Sequence, residues 1–233
     1  QTPDMDSINE IAGKYDIPVI EDAAQSFGAT HKERQSCNLS TIGSTSFFPS
    51  KPLGCYGDAG ALFADDDEWA EKFRWIRVHG QERKHHHPIL GLNGRMDTLQ
   101  AAILLAILEV FPDEVTKRQK IGNRYNTELS QASELETPTI APENTSVFAQ
   151  YTILSEQRES IQNSLKEKGI PSVSYYSVPL HLQPVFKDLG YKPGDFPVSE
   201  KVANQSLSFP MSPYLNPEDQ KNVILYVLKS LNL

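Results

Sequence analysis

The sequence predicts an α/β sheet region followed by a smaller α+β region, and three observations carry this. Within the first 111 residues, short apolar runs of strand length alternate with helical patterns. Beyond Pro112 the order changes to helix, strand, helix, strand, Pro-rich segments and a last helix. Neither half shows an internal repeat or a low-complexity segment.

The elements follow in order. Asp4 to Asp16 reads as an amphipathic helix with Met5, Ile8, Ile11 and Ala12 on one face. Ile17-Pro18-Val19-Ile20 suits a buried parallel strand, with Glu21-Asp22 at its C-terminal end. Ligands of open α/β sheets bind at that edge. Thr45 to Phe48 is a second strand, running into Pro49-Ser50-Lys51-Pro52-Leu53-Gly54, and Gly60 to Ala64 is a third. The acids Asp65 to Asp67 open a helix through Arg77, where the helix dipole favours negative charge. A polar loop, Gly80 to Gly94, contains His85, His86 and His87. Asp97 to Phe111 is a strong helical pattern, interrupted at Pro112 and resumed to Ser130. After a surface connection, Glu134 to Asn144, come a strand (Val147 to Ile153), a helix (Arg158 to Lys168) and a strand (Ser172 to Tyr176). Irregular Pro-rich segments follow. Asn216-Pro217-Glu218-Asp219 starts the last helix: an N-cap, a proline at the first helical position, then acids.

The bulk properties exclude several classes of function. Over 233 residues the formal charge is −8, with no long basic run. Nucleic acid and anionic membranes both need clustered Lys and Arg, so neither partner is expected. Cys37 and Cys55 lack C-x-x-C spacing, so no disulfide scaffold is expected and a reducing cytoplasm is the natural setting. The most apolar run, Leu99 to Val110, is too short to span a bilayer and is broken by Gln100 and Glu109. The chain opens on Gln1-Thr2-Pro3, with no initiator Met and no signal peptide, and is expected to begin inside a domain.

Lys51 follows an apolar strand and sits among prolines and a glycine. Such a turn holds an amine rigidly at a ligand edge, where it can form an imine with an aldehyde cofactor; a solvated turn lysine fits the same position. Asp22 at its strand end can pair with a pyridinium nitrogen, or serve as a cap or ion-pair partner. Gln25 can reach the same ligand, and the hydroxyls of Ser46 and Ser50 can donate to a phosphate. Three adjacent histidines rarely converge on zinc, so no metal site is read from them. There is no P-loop and no G-x-G-x-x-G.

Read together, these segments resemble the DegT-type nucleotide-sugar aminotransferases, a branch of the fold-type I pyridoxal-phosphate (PLP) enzymes. Val19-Ile20-Glu21-Asp22-Ala23-Ala24-Gln25-Ser26-Phe27-Gly28-Ala29 looks like the family's cofactor-ring motif. Thr45 to Gly54 looks like its Schiff-base lysine motif, followed by Gly57-Asp58-Ala59-Gly60-Ala61. Val78-His79-Gly80 and Gly91-Leu92-Asn93-Gly94-Arg95-Met96-Asp97 match two further blocks. The wording around Cys37 to Thr41 and around Lys51 is most similar to the O-antigen enzymes that aminate a UDP-linked 3-keto uronic acid sugar.

The resemblance implies a partial fold-type I large domain (residues 1–111, a mostly parallel sheet with flanking helices) and a small C-terminal domain (112–233). It implies that Lys51 is the catalytic Schiff-base lysine and that PLP is the cofactor. Asp22 would meet the pyridine nitrogen, Gln25 the ring hydroxyl, and Ser46 the phosphate. Asn93 would reach the phosphate of a neighbouring subunit's site, so a homodimer with shared sites is implied. Arg95 would contact the nucleotide-sugar. Glutamate is the expected amino donor, and a keto sugar of surface polysaccharide synthesis the acceptor. Relatives with histidine in place of Lys51 are sugar dehydratases, so transamination is the expected chemistry. In the substrate loop Ser174 to Pro179, Tyr175 stands where the family has histidine and Ser177 where it has proline, while Tyr176 keeps the family tyrosine. That departure leaves the sugar acid open. The family's N-terminal phosphate cradle and stacking aromatic have no counterpart in these residues. The chain alone is therefore expected to bind PLP weakly, or to act as a non-catalytic fragment or a regulatory relative that only associates with other chains.

Overall fold

The computed structural model describes residues 1–232. They form two compact units, one from Gln1–Thr116 with Ile140–Ala149, the other from Lys117–Thr139 with Gln150 onward.

In the first unit, α1 (Met5–Gly13) starts where the Asp4 carboxylate accepts the Ser7 backbone N–H at 3.2 Å. Of its apolar face only Met5 is buried, whereas Ile8 and Ile11 are exposed. The strand expected over Ile17–Ile20 lies further on, as β1 (Ile20–Asp22). It is parallel, as expected, but not buried: Ile20 is 64% exposed because β1 is an edge. A two-residue hairpin joins β2 (Thr30–His31) to β3 (Arg34–Gln35), with Lys32 and Glu33 at φ of +48° and +67°. This is the left-handed conformation that tight hairpin turns need. The second and third expected strands appear as β4 (Ile42–Ser46) and β5 (Gly60–Phe63).

The sheet order is β1-β4-β5, with β1 parallel and β5 antiparallel to β4. Ile42, Gly43 and Thr45 of the central strand are buried. Gly43 is required there, since a Cβ would stand 2.2 Å from the Cys37 carbonyl oxygen. Beneath β4 lies a core of Phe47, Leu53, Cys55, Leu104 and Phe111. The Phe27 ring stacks on Phe111 with centroids 5.8 Å apart and meets Phe47 edge-on at 5.9 Å. Two helices complete the unit. Asp66 caps α2 (Asp67–Ile76) by accepting the Trp69 N–H at 2.9 Å, and α3 (Thr98–Leu108) carries Leu104 into the core.

The chain enters the second unit within α4 (Phe111–Leu129). There β6 (Tyr151–Leu154) pairs antiparallel with β7 (Ser206–Phe209) against α5 (Arg158–Glu167). The strand expected from Val147 begins only at Tyr151, because the chain passes from one unit to the other at Ala149–Gln150. The strand expected over Ser172–Tyr176 is reduced to one bridging pair, Val173 with Ser208. The Pro-rich segments are ordered as two short 3-10 helices, Leu180–Leu182 and Pro184–Leu189, before α6 (Pro197–Gln205). The final helix, α7 (Pro217–Ser230), is capped by Asn216 as its sequence signature predicts. Tyr125, Leu129, Tyr151, Ile153, Ile161, Leu165, Leu207 and Val227 are fully buried in this unit. Among the described residues no helix is long and apolar enough to cross a membrane.

Candidate active site

Alternation along β1 separates two neighbouring carboxylates. Glu21 turns inward, where its Oε2 accepts the Leu39 N–H at 3.3 Å, while Asp22 emerges at the strand's C-terminal end. Asp22 Oδ1 accepts the Ala24 N–H at 3.0 Å, and Ala23 N–H donates to the Ser44 carbonyl at 2.8 Å. These bonds fix the turn that brings Gln25 beside Asp22. The two line one recess of about 230 Å³ with Val19, Ile20 and Ser26. The Asp22 side chain is exposed at this edge.

β4 leaves the sheet at the same edge. Ser46 is half-buried, and its Oγ accepts the Phe48 N–H at 3.2 Å. The following turn is closed by Lys51 N–H donating to the Phe48 carbonyl at 2.9 Å and by Cys55 N–H donating to the Phe47 carbonyl at 2.8 Å. Gly54 permits the close return, since a Cβ would lie 2.9 Å from the Phe48 and Pro49 carbonyl oxygens. Leu53 and Cys55 are buried beneath the turn, which leaves Lys51 half-buried above it.

Asn93 and Arg95 belong to a loop zipped onto the end of α2. Asn93 forms a bridging pair with Val78, Gly94 N–H donates to the Arg77 carbonyl at 3.0 Å, and His79 N–H donates to the Leu92 carbonyl at 2.9 Å. The approach is so close that a Cβ on Gly91 would meet the Gly80 nitrogen at 2.0 Å. Arg95 reaches out to His79 Nε2 at 3.5 Å and is otherwise exposed. Of the three adjacent histidines, His86 meets Glu82 at 2.8 Å and His87 meets the His79 carbonyl at 3.0 Å. Tyr175 and Tyr176 lie in the second unit, exposed, with their rings 5.7 Å apart. The structure thus gathers Asp22 and Gln25 at one recess, ends the adjacent strand at Ser46 and sets Lys51 in the turn that follows. Asn93 and Arg95 share a separate loop of the same unit.

A larger recess of about 980 Å³ escapes the sequence. It lies against β4, β5 and α2 and is lined by Thr45, Leu62, Phe63, Phe73, Arg74 and Arg77, with Cys37 at its side. Burial, then the nearby Glu21 and Asp22 charges, push the Cys37 thiol up to about 12. No spacing in the sequence links residues so far apart, so no local motif could reveal it.

Comparison with known proteins supplies a second line of observation. The chain is 54% identical over 216 residues to the UDP-2-acetamido-2-deoxy-3-oxo-D-glucuronate aminotransferase of Pseudomonas aeruginosa, covering 93% of this chain and 59% of that protein. A DegT DnrJ EryC1 StrS aminotransferase from Brucella abortus is 40% identical with a TM-score of 0.91, over 97% of this chain and 61% of that one. DesV of S. venezuelae, whose structure holds a ketimine intermediate, is 33% identical with a TM-score of 0.94 over the same shares. The chain therefore spans about three fifths of the length of these relatives. Residues 1–228 match the family model throughout, and the chain belongs to the DegT/DnrJ/EryC1/StrS aminotransferase family.

Proposed function

We propose that this chain is the greater part of a PLP-dependent aminotransferase that moves an amino group from an amino acid, glutamate by preference, to a nucleotide-linked keto sugar. The observation that carries the reading is the shared C-terminal edge of two parallel strands, where Asp22 ends β1 and the turn holding Lys51 follows β4. The 54% identity to an enzyme named for a UDP-linked 3-oxo-glucuronate supports a UDP-3-keto uronic acid sugar as the acceptor. Surface polysaccharide synthesis, O-antigen included, is the matching role, and the cytoplasm the matching compartment.

The donor set fits PLP. An aldehyde needs an amine, a pyridinium nitrogen needs a carboxylate, and a phosphate needs hydroxyl donors; Lys51, Asp22 and Ser46 supply them. Ser46 Oγ accepts from Phe48, so its own hydrogen remains free for a phosphate oxygen. Bound PLP supplies the electron sink that makes loss of an α-proton feasible. The protein supplies the rest. Lys51 Nζ anchors the cofactor and then holds the proton taken from the amino-acid carbon. Asp22 keeps a proton on the ring nitrogen by charge. Gln25, beside Asp22 in its recess, orients the ring hydroxyl through its amide. Asn93 of one subunit serves the phosphate of its neighbour, which makes the working unit a homodimer. Arg95, Tyr175 and Tyr176 bind the nucleotide-sugar, and Tyr175 in place of histidine adjusts the choice of sugar acid.

The test uses the complete protein and follows the two half-reactions by absorbance. Glutamate alone should convert bound PLP to the pyridoxamine form and release 2-oxoglutarate, and the UDP-linked 3-keto sugar should restore the starting spectrum. A spectrum unmoved by any amino-acid donor would contradict the proposal.

A further inference from the structure

A second cluster of functional groups stands in the first unit, formed by Asp4, Asp6 and His31. The His31 ring is buried, with 4% of the residue exposed. Its Nδ1 lies 2.7 Å from Asn144 Oδ1. That oxygen can only accept, so Nδ1 carries a proton and Nε2 is the ring nitrogen turned toward the two carboxylates. Nε2 is buried and meets no hydrogen-bond partner among the described residues, yet it points between two carboxylates. It stands 3.9 Å from Asp4 Oδ1 and 3.6 Å from Asp6 Oδ2, and all three ligand atoms lie within 4.8 Å of one another. Ligand atoms around a tetrahedral zinc ion are roughly 3.4 Å apart. The cluster therefore needs only a small contraction to close on an ion.

We infer that Asp4, Asp6 and His31 form a binding site for a divalent first-row transition metal ion of the zinc class. Imidazole with two carboxylates suits such an ion, and Asn144 has the outer-shell role of fixing the imidazole tautomer. Asp4 is already oriented, since its carboxylate accepts the Ser7 N–H at 3.2 Å and the Ser7 hydroxyl at 2.6 Å. Asp6 is held from the other side by Arg34 on Oδ1. The competitor for Asp6 Oδ2 is Lys32 Nζ at 3.0 Å, which has Glu143 at 3.5 Å as a ready second partner. An entering ion can displace Lys32 toward Glu143 without stranding its charge. The Asp4 and Asp6 side chains are 60% and 41% exposed, which leaves a path for the ion and room for water ligands. The bound ion clips the start of α1 to the β2–β3 hairpin, and through Asn144 to the 140–149 segment. The site does not depend on the roles given to Lys51 and Asp22.

The test titrates the full chain with zinc chloride, by calorimetry and by thermal unfolding. It is done in a His85→Gln, His86→Gln, His87→Gln background that removes the exposed histidine run. One ion per chain and a higher Tm are expected, because a ligand that binds only the folded state stabilises it. Asp4→Asn keeps the helix cap and should weaken zinc binding by about tenfold or more. His31→Gln should abolish the saturable site and the Tm shift. Unchanged zinc affinity in Asp4→Asn overturns the inference whatever His31→Gln does, as does the absence of saturable uptake in the background protein.

Discussion

Asp22 ends β1 directly opposite Ser44 of the parallel strand β4, and from Ser44 the chain continues past Ser46 into the turn that carries Lys51. Asp22 and the turn that carries Lys51 thus follow from the C-terminal ends of two neighbouring parallel strands, the edge where open α/β sheets bind their ligands. If that acid holds a proton on the ring nitrogen, Asp22→Asn in the complete protein should lower kcat by on the order of 10²-fold. PLP binding should change far less. Steady-state kinetics beside a PLP titration separates the two effects, and equal losses in both would assign Asp22 to binding alone.

Cys37 tests the local electrostatics of the same edge. Its thiol is buried, and Glu21 and Asp22 add to the effect of burial in raising it to about 12. At neutral pH it is therefore a thiol, not a thiolate, and alkylation by iodoacetamide should be far slower than for a free cysteine. Peptide mapping after timed alkylation reads the rate. Fast labelling of Cys37 in folded protein would show that the loop from Ser36 to Ser40 opens readily.

The second unit rests on paired aromatics. The Tyr125 and Tyr151 rings are 4.7 Å apart and fully buried; Tyr125 donates to the Pro210 carbonyl at 3.1 Å and Tyr151 to Asn126 Oδ1 at 2.7 Å. Tyr125→Phe leaves the half-buried Pro210 carbonyl without this donor and should cost about 1 kcal/mol, while Tyr125→Ala opens a cavity and should cost ~3–5 kcal/mol. Urea unfolding measures both. Burial also raises both phenols above the ordinary value of 10.0. Their contribution is thus complete below that value and is lost as pH rises beyond it, when the unfolded chain ionises first. The stability of the wild type should fall in the alkaline range more steeply than that of Tyr125→Phe.

Glu200 should show the opposite dependence. The Gly194 N–H, the His181 ring and the Phe196 N–H hold its carboxyl below the ordinary 4.5. Its stabilising effect is present above that value and is lost as pH falls through the lowered one. The protection factors for hydrogen exchange at Gly194 and Phe196, taken relative to intrinsic rates at each pH, should fall in acid, and in Glu200→Gln they should be low at every pH. Protection that persists in Glu200→Gln would mean that the 190–196 loop is held by other contacts.

Much of this was legible because local chemistry agreed with the tertiary structure. Asn216-Pro217 announced the start of α7, the acids before Trp69 announced α2, and Pro112 announced the break between α3 and α4. The strands that end at Asp22 and lead into the Lys51 turn could be read because each is an apolar run closed by polar or proline residues. Elements without a local signal were missed or displaced. All four residues of β7 are buried, but the run Ser206–Phe209 is only four residues long and is closed at once by Pro210, too short for its alternation to stand out. β2 and β3 are two residues each, and their turn uses Lys32-Glu33 in place of the usual Asn-Gly. The cluster joins His31 to Asp6 and Asp4, 25 and 27 residues before it, and to Asn144, 113 residues after it, which no spacing rule detects.

The central claim is that the amine at the end of β4 forms the Schiff base. Reduction of the complete PLP-loaded protein with borohydride, then proteolysis and mass spectrometry, tests it directly. The account expects the pyridoxyl group on Lys51 and no stable adduct in Lys51→Ala. Label on another lysine, with Lys51 unmodified in the wild type, would contradict it.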